Sequence, residues 1–150
     1  MVRPMAPRFT RTLTVEPEHI DVLGHVSNQV YLAWLLAAAE DHSSAVGLSW
    51  ARYRELGGVF VVRRHELDYL APAFVGEQVQ VETWISGHAR ASSTRAYTIH
   101  RGERCLMRAQ TKWAFIDLDS GRPTRIPAEV LEAFELEQVA SRSRSGPARR

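Results

Sequence analysis

The feature that most constrains this fold is one helical stretch, from Asn28 to a stop at Gly47, with almost no polar face. Ser27 or Asn28 is available as its N-cap, and Gly47 supplies the C-terminal break. Its apolar side chains go nearly all the way round instead of forming one stripe, which is typical of a helix buried on most sides. The sequence therefore predicts a layer that wraps this helix.

Four segments of strand character follow the helix, with turn residues between them. They are Val59–Tyr69, Glu77–Ser86, Ser92–Arg101 and the longest one, Cys105–Phe115. The second alternates cleanly, with Val79, Val81, Thr83 and Ile85 on one face. An alternating segment before the helix, Arg8–Val15, predicts a first strand, and Pro127 precedes a short helix expected from Ala128 to about Val139. The fold class is thus predicted as α+β, an antiparallel sheet around one central helix.

The length of 150 residues fits one domain, and 45% hydrophobic with 24% charged residues is ordinary for a globular chain. We expect a domain over residues 8–139, a disordered N-terminus over 1–7 and a disordered arginine-rich tail over 140–150. The tail could touch nucleic acid or a membrane, but a solvated terminus is the better interpretation, so no nucleic-acid partner is expected.

Location and metal content follow from what the sequence lacks. The longest apolar run, around Val30–Ala39, is about half of what a membrane-spanning helix needs, and no secretory leader precedes Phe9. A cytoplasmic protein without a membrane span is expected. Cys105 is the only cysteine, and no CxxC, HExxH, P-loop or GxGxxG pattern occurs. We expect no metal and no cofactor.

The residues that could carry chemistry lie in the loop that leads into the helix. The polar stretch Glu16–Ser27 is about a dozen residues long, and loops of that length in small domains are often functional. It places Asp21 and His25 just ahead of Asn28 and Tyr31. A helix N-terminus can polarise a carbonyl through its unpaired N–H groups, and a carboxylate just upstream can act as nucleophile or general base.

Each of these residues also has a structural explanation. Asp21 can organise its loop by accepting backbone N–H bonds, and His25 can bond the loop in the same way. The Asn28 side chain is expected as an N-cap, which leaves its backbone N–H as the functional group. Tyr31 is expected in the core, and Gly24 is expected to matter for backbone conformation.

The sequence resembles the hotdog-fold thioesterases of the 4-hydroxybenzoyl-CoA thioesterase type. Their motif reads approximately Asp-x-x-Gly-His-Val-Asn-Asn-x-x-Tyr, and it is matched here by Asp21, Gly24, His25, Val26, Asn28 and Tyr31. Ser27 stands where the family has its first asparagine. The resemblance extends over roughly Arg8–Glu137. Plant-type acyl-carrier-protein thioesterases resemble the same loop but have asparagine at the position of Leu23, which favours coenzyme A as the carrier.

This resemblance implies an acyl-CoA thioesterase that assembles as a homodimer or homotetramer, with active sites between subunits. Asp21, His25 and Asn28 would be catalytic, with the Asn28 backbone N–H polarising the thioester carbonyl. Gly24, Ser27 and Tyr31 would contact the substrate. The acyl group is left open, as are the choice between coenzyme A and a carrier protein and the choice of Asp21 as nucleophile or base.

Two other functions fit the same fold. A hotdog hydratase or dehydratase also acts on acyl thioesters, but it usually carries a wider Asp-to-His spacing than that of Asp21 and His25. A non-catalytic acyl-CoA binding module would normally carry a fused partner segment.

Overall fold

A computed structural model describes residues 6–138, which form five strands and three helices. The strands are β1 (Phe9–Thr14), β2 (Gly58–Tyr69), β3 (Gln78–His88), β4 (Ser92–Arg101) and β5 (Arg104–Asp117). The helices are α1 (Asn28–Ala45), α2 (Trp50–Leu56) and α3 (Ala128–Ala133), and a 3₁₀ turn spans Pro17–His19. The N-terminal residues 1–5 and the tail from 139 onward lie outside the described residues, so the expectations of disorder there remain predictions.

The strands form one antiparallel sheet in the order β1-β3-β4-β5-β2. This confirms the predicted antiparallel sheet, and the face that alternation assigns to Val79, Val81 and Thr83 is buried. Register shifts interrupt β2, β3 and β5, between Val62 and Arg64 among other places. Such bulges bend strands and increase their twist, which lets the sheet curve against α1.

Helix α1 packs one face against the concave side of the sheet. That face is formed by Tyr31, Trp34, Leu35, Ala38, Ala39 and His42, all buried. The opposite side is more open, since Ala33 is exposed and Leu36 and Ala37 are only partly buried. The expectation of burial on most sides is therefore wrong for this side, because an open five-stranded sheet covers only one side of a helix. Its apolar residues line a cavity instead.

Two apolar clusters hold the layers together. The first joins α1 to the middle of the sheet and includes Leu35, Val81 and Ile99. The second lies where α2 and α3 meet the sheet, and it includes Tyr53 and Phe115. The two short helices thus cover the part of the sheet around Phe115.

Two helical details differ from the sequence-based expectations. Helix α2 has clear end signals that the sequence analysis did not use: the Ser49 side chain accepts a hydrogen bond from the Arg52 backbone N–H, and Gly57 ends the helix with φ at 85°. Helix α3 ends at Ala133, short of the expected Val139, and Glu135 follows at a positive φ of 57°. No helix within residues 6–138 is both long and apolar enough to cross a membrane.

Candidate active site

The loop before α1 is closed by its own backbone hydrogen bonds. An antiparallel bridge joins Ile20 to Val26, and the Asp21 N–H donates to the His25 carbonyl at 3.0 Å. The Gly24 N–H donates back to the Asp21 carbonyl at 3.0 Å, and Gly24 adopts a φ of +86°, which glycine tolerates without a steric penalty. The turn therefore brings the predicted residues Asp21, Gly24 and His25 together.

The Asp21 carboxylate uses one oxygen to stabilise this turn. Its Oδ1 accepts a hydrogen bond from the Leu23 backbone N–H at 2.8 Å, so the structural explanation of Asp21 is confirmed. Among residues 6–138, no hydrogen bond reaches the second oxygen, Oδ2. The side chain is only partly buried. One oxygen can hold the loop while the other faces a substrate or a water molecule.

Helix α1 begins with Ser27 as its N-cap, not Asn28. The Ser27 hydroxyl accepts a hydrogen bond from the Val30 backbone N–H at 3.3 Å. Asn28 is therefore the first helical residue, and the expectation that its side chain caps the helix is wrong because the serine one residue earlier makes that bond. Within the described residues, the backbone N–H groups of Asn28 and Gln29 have no hydrogen-bond partner. They are free to bind an oxygen atom of a ligand.

His25 and Tyr31 lie on the side of this site that faces the segment after β2. The His25 ring lies edge-on to Phe74 with centroids 6.4 Å apart, and its Nδ1 is 3.4 Å from the Val26 carbonyl. Tyr31 is buried, as expected for a core residue, and its hydroxyl accepts a hydrogen bond from the Ala73 N–H at 3.2 Å. Burial raises the pKa of the Tyr31 phenol, so it stays protonated at neutral pH.

The surface around the loop is apolar. Val22 at the tip is 101% exposed and Leu23 is 73% exposed, and Phe74 and Val75 nearby are also exposed. Exposed apolar side chains that are grouped in this way mark a binding surface more often than scattered ones do.

A second group of polar residues lies inside the domain, and the sequence analysis did not single it out. Arg95 on β4 is only 4% exposed, and its Nη1 donates to Thr83 Oγ1 at 3.1 Å and to His42 Nδ1 at 2.9 Å. The sequence does indicate that both side chains point inward. Arg95 alternates in phase with Tyr97 and Ile99 on β4, and His42 follows Leu35 and Ala38 on the buried face of α1.

His42 must be neutral in this arrangement. A guanidinium has only donors, so His42 Nδ1 is the acceptor and the proton of its imidazole is on Nε2. Burial and the neighbouring Arg95 charge lower the pKa of His42 from 6.5 to about 4.

A prediction about acid stability follows from His42. Because its folded-state pKa is depressed, the unfolded state binds more protons between pH 6.5 and about 4, and the free energy of unfolding falls as the pH falls through this window. The slope from one such group is at most about 1.4 kcal/mol per pH unit. His42→Asn keeps an acceptor for Arg95 but does not titrate, so its urea-unfolding free energy should fall less steeply over this window than that of the wild type. Equal slopes would contradict the prediction, and His100→Asn controls for the loss of a histidine.

The long helix α1, packed against a curved antiparallel sheet, is the hotdog architecture. The chain belongs to the thioesterase-like superfamily, whose family model matches residues 15–134. None of the curated proteins compared with the chain matches its sequence.

Solved structures of the same fold come from several bacteria. A protein described as an oleoyl thioesterase from Lactobacillus plantarum superposes with a TM-score of 0.84 at 20% identity, over 95% of this chain and 56% of that one. This chain therefore spans little more than half of that protein. A 1,4-dihydroxy-2-naphthoyl-CoA thioesterase from Synechocystis gives 0.78 at 24% identity, over 85% of this chain and 96% of that one. A Staphylococcus aureus protein solved in complex with CoA superposes with a TM-score of 0.81 at 15% identity, over 100% of this chain and 99% of that one.

Proposed function

We propose that the protein hydrolyses an acyl-CoA thioester to the free acid and CoA, with Asp21 as nucleophile or general base. The observation that carries this proposal is the pairing of a carboxylate that has one free oxygen with two unpartnered backbone N–H groups at the start of the adjacent helix. Hydrolysis of a thioester requires a group that attacks the carbonyl carbon or activates a water molecule. It also requires hydrogen-bond donors for the oxyanion that forms.

In the proposed reaction the thioester carbonyl oxygen accepts a hydrogen bond from the Asn28 backbone N–H. Asp21 either attacks the carbonyl carbon, giving an anhydride that water then cleaves, or removes a proton from an attacking water molecule. The C–S bond breaks in either route, and the CoA thiolate leaves and takes up a proton. His25 supports the turn that carries Asp21.

Three further residues shape this proposed site. Gly24 gives the turn its conformation and lies beside Asp21, so a substrate can approach the turn without meeting a side chain there. Ser27 directs the first turn of α1 by capping it, and Tyr31 braces that turn against Ala73. We propose all three as substrate-binding residues. Tyr31 is buried, so its proposed effect on the substrate is indirect: it holds the first turn of α1 in place.

Coenzyme A is the proposed carrier. A structure of the same fold contains CoA, and a thioesterase among the neighbours acts on an acyl-CoA according to its name. The test is release of free thiol from a panel of aryl, short, medium and long acyl-CoAs, with the same acyl groups on acyl carrier protein for comparison. Thiol release from at least one acyl-CoA supports the proposal. Binding without release, or addition of water to an enoyl-CoA, would favour the binding module or the hydratase instead.

We also propose that the active protein is a homodimer or homotetramer. Strand β2 lies at one edge of the sheet, where its outer backbone groups can pair with another chain, and Val62 and Tyr69 on it are exposed. Apolar side chains around the Asp21 loop add a surface that a second subunit can cover. Light scattering should therefore give at least twice the monomer mass of 17.0 kDa, and a clean monomer would contradict a shared site.

A further inference from the structure

A cavity of about 610 Å³ opens along the outer side of α1, beyond the first turn that carries Asn28. Its walls come from α1, α2, α3 and the sheet, and they are mostly apolar, with Leu36, Tyr53, Phe60 and Phe134 among them. This volume falls within the range of roughly 300 to 1,000 Å³ that is usual for small-molecule sites. The walls suit a hydrocarbon or aryl group.

One wall of this cavity carries the buried Arg95 guanidinium. Its Nη1 is used by Thr83 and His42, which are both uncharged, and no hydrogen bond within the described residues involves its Nε or Nη2. No carboxylate among residues 6–138 forms an ion pair with it. The segments outside that range contain neither Asp nor Glu.

The positive charge of Arg95 therefore has no acidic partner, and its Cζ lies 5.5 Å from the centre of the Phe134 ring, a cation–π contact that does not neutralise the charge. A buried charge without a partner of opposite sign is strongly unfavourable, and proteins normally pair it or bind an ion against it. Glu40 on α1 also lies on the cavity wall and carries a negative charge, but it is exposed to solvent, so water screens that charge. A ligand that brings a negative charge to Arg95 would supply the partner of opposite sign that the described residues lack.

We propose that this cavity binds a molecule with an apolar body and one carboxylate, and that the carboxylate pairs with Arg95. A guanidinium presents its donors in a planar fork that matches the two oxygens of a carboxylate. A phosphate fits less well, because its second charge would meet walls with little else to neutralise it. The apolar body would lie against Leu36, Phe60 and Phe134.

Two sources can supply such a carboxylate. It can be a free organic acid, or it can be a second carboxylate at the far end of the acyl group of a thioester. The binding proposal is independent of hydrolysis, since it rests on the cavity and Arg95 and not on Asp21.

The first experiment measures binding by calorimetry with three probes of one chain length, decanoate, 1-decanol and decylamine. Decanoate should bind the wild-type protein more tightly than either other probe. Arg95→Met should weaken decanoate binding by about ten- to a hundredfold without a similar loss for 1-decanol, because a charged hydrogen-bonded pair is removed. Arg108→Met, which removes an exposed charge on β5, is the matched control and should bind all three probes like the wild type.

Two further measurements keep the proposal testable if Arg95→Met folds poorly. Ala37→Phe fills part of the cavity, so it should weaken both decanoate and 1-decanol. Arg95→Lys keeps the charge and should retain part of the preference for decanoate. Wild-type binding of decanoate no tighter than that of 1-decanol would overturn the proposal, and so would an unchanged preference in a folded Arg95→Met.

The second experiment separates the two sources by comparing hydrolysis of decanedioyl-CoA and decanoyl-CoA. If the acyl group supplies the carboxylate, Arg95→Met should lower the ratio of the two kcat/KM values at least about tenfold. If the ratio keeps its wild-type value while decanoate affinity falls, the ligand is a free acid. If hydrolysis fails with both, the calorimetry still decides the binding proposal.

Discussion

Asp21→Asn is expected to lower kcat for thioester hydrolysis at least about a hundredfold while leaving the melting temperature close to that of the wild type. The asparagine amide oxygen can still accept the hydrogen bond that Asp21 Oδ1 receives from the Leu23 N–H, so the turn should persist. The amide can neither attack a carbonyl nor take a proton from water. Thiol release and thermal unfolding, measured on the same preparations, provide the two readouts.

Asp21→Ala is the matched comparison, because it removes the turn-stabilising acceptor together with the charge. If Asp21 only organises its loop, the asparagine variant should be active and the alanine variant impaired. If Asp21 is catalytic, both variants should be nearly inactive and only the alanine variant should lose stability. Near-normal activity of Asp21→Asn would therefore contradict the catalytic assignment.

Gly58→Ala is expected to lower the free energy of unfolding by roughly 3 kcal/mol. Gly58 is buried at the start of β2, and a Cβ there would lie 2.7 Å from Phe115 Cζ and 2.9 Å from the Ile116 carbonyl oxygen. Phe115 is held in the second core cluster between Tyr53 and Phe60, and the carbonyl belongs to the backbone of the paired strand. Neither can move aside cheaply, so the strand pairing itself must shift.

Urea denaturation of Gly58→Ala and Gly87→Ala side by side provides the measurement. Gly87 lies in β3, has no positive φ and has no atom within 4 Å of the position that a Cβ would occupy. Its alanine variant should differ from the wild type by no more than about 0.5 kcal/mol. Equal losses in the two variants would show that close packing at Gly58 is not the cause.

Most of the sheet was predictable because its signal is local. Alternation along β3 identifies that strand and its buried face, and the predicted β4 has the observed bounds, Ser92–Arg101. The bulges were not predictable, since an extra residue such as Arg63 is accommodated only when a partner strand sets the register. The short helix α2 could also have been predicted, because Ser49 is a good N-cap residue and Gly57 a good C-terminal one.

The candidate site was predictable to a similar extent. The motif located the turn and the helix start, but it could not decide between Ser27 and Asn28 as N-cap, because both residue types are good caps. Nor could it show the cavity, whose walls come from segments far apart in the chain. The charge of Arg95 on an inward-facing strand position was visible in the sequence, but its lack of an acidic partner required the packed structure.

The backbone of Ala73 bears on how this protein folds. Its carbonyl accepts the Val26 N–H at 3.0 Å and its N–H donates to the Tyr31 hydroxyl, a contact that spans 42 positions along the chain. The turn at Asp21 is therefore anchored by a segment that arrives only after α1, α2 and β2 have been positioned. Closing so long a loop has an entropic cost that must be met before the contact stabilises anything. The anchor should thus form late in folding, so that a change at Ala73 mainly speeds unfolding and leaves the refolding rate almost unaltered.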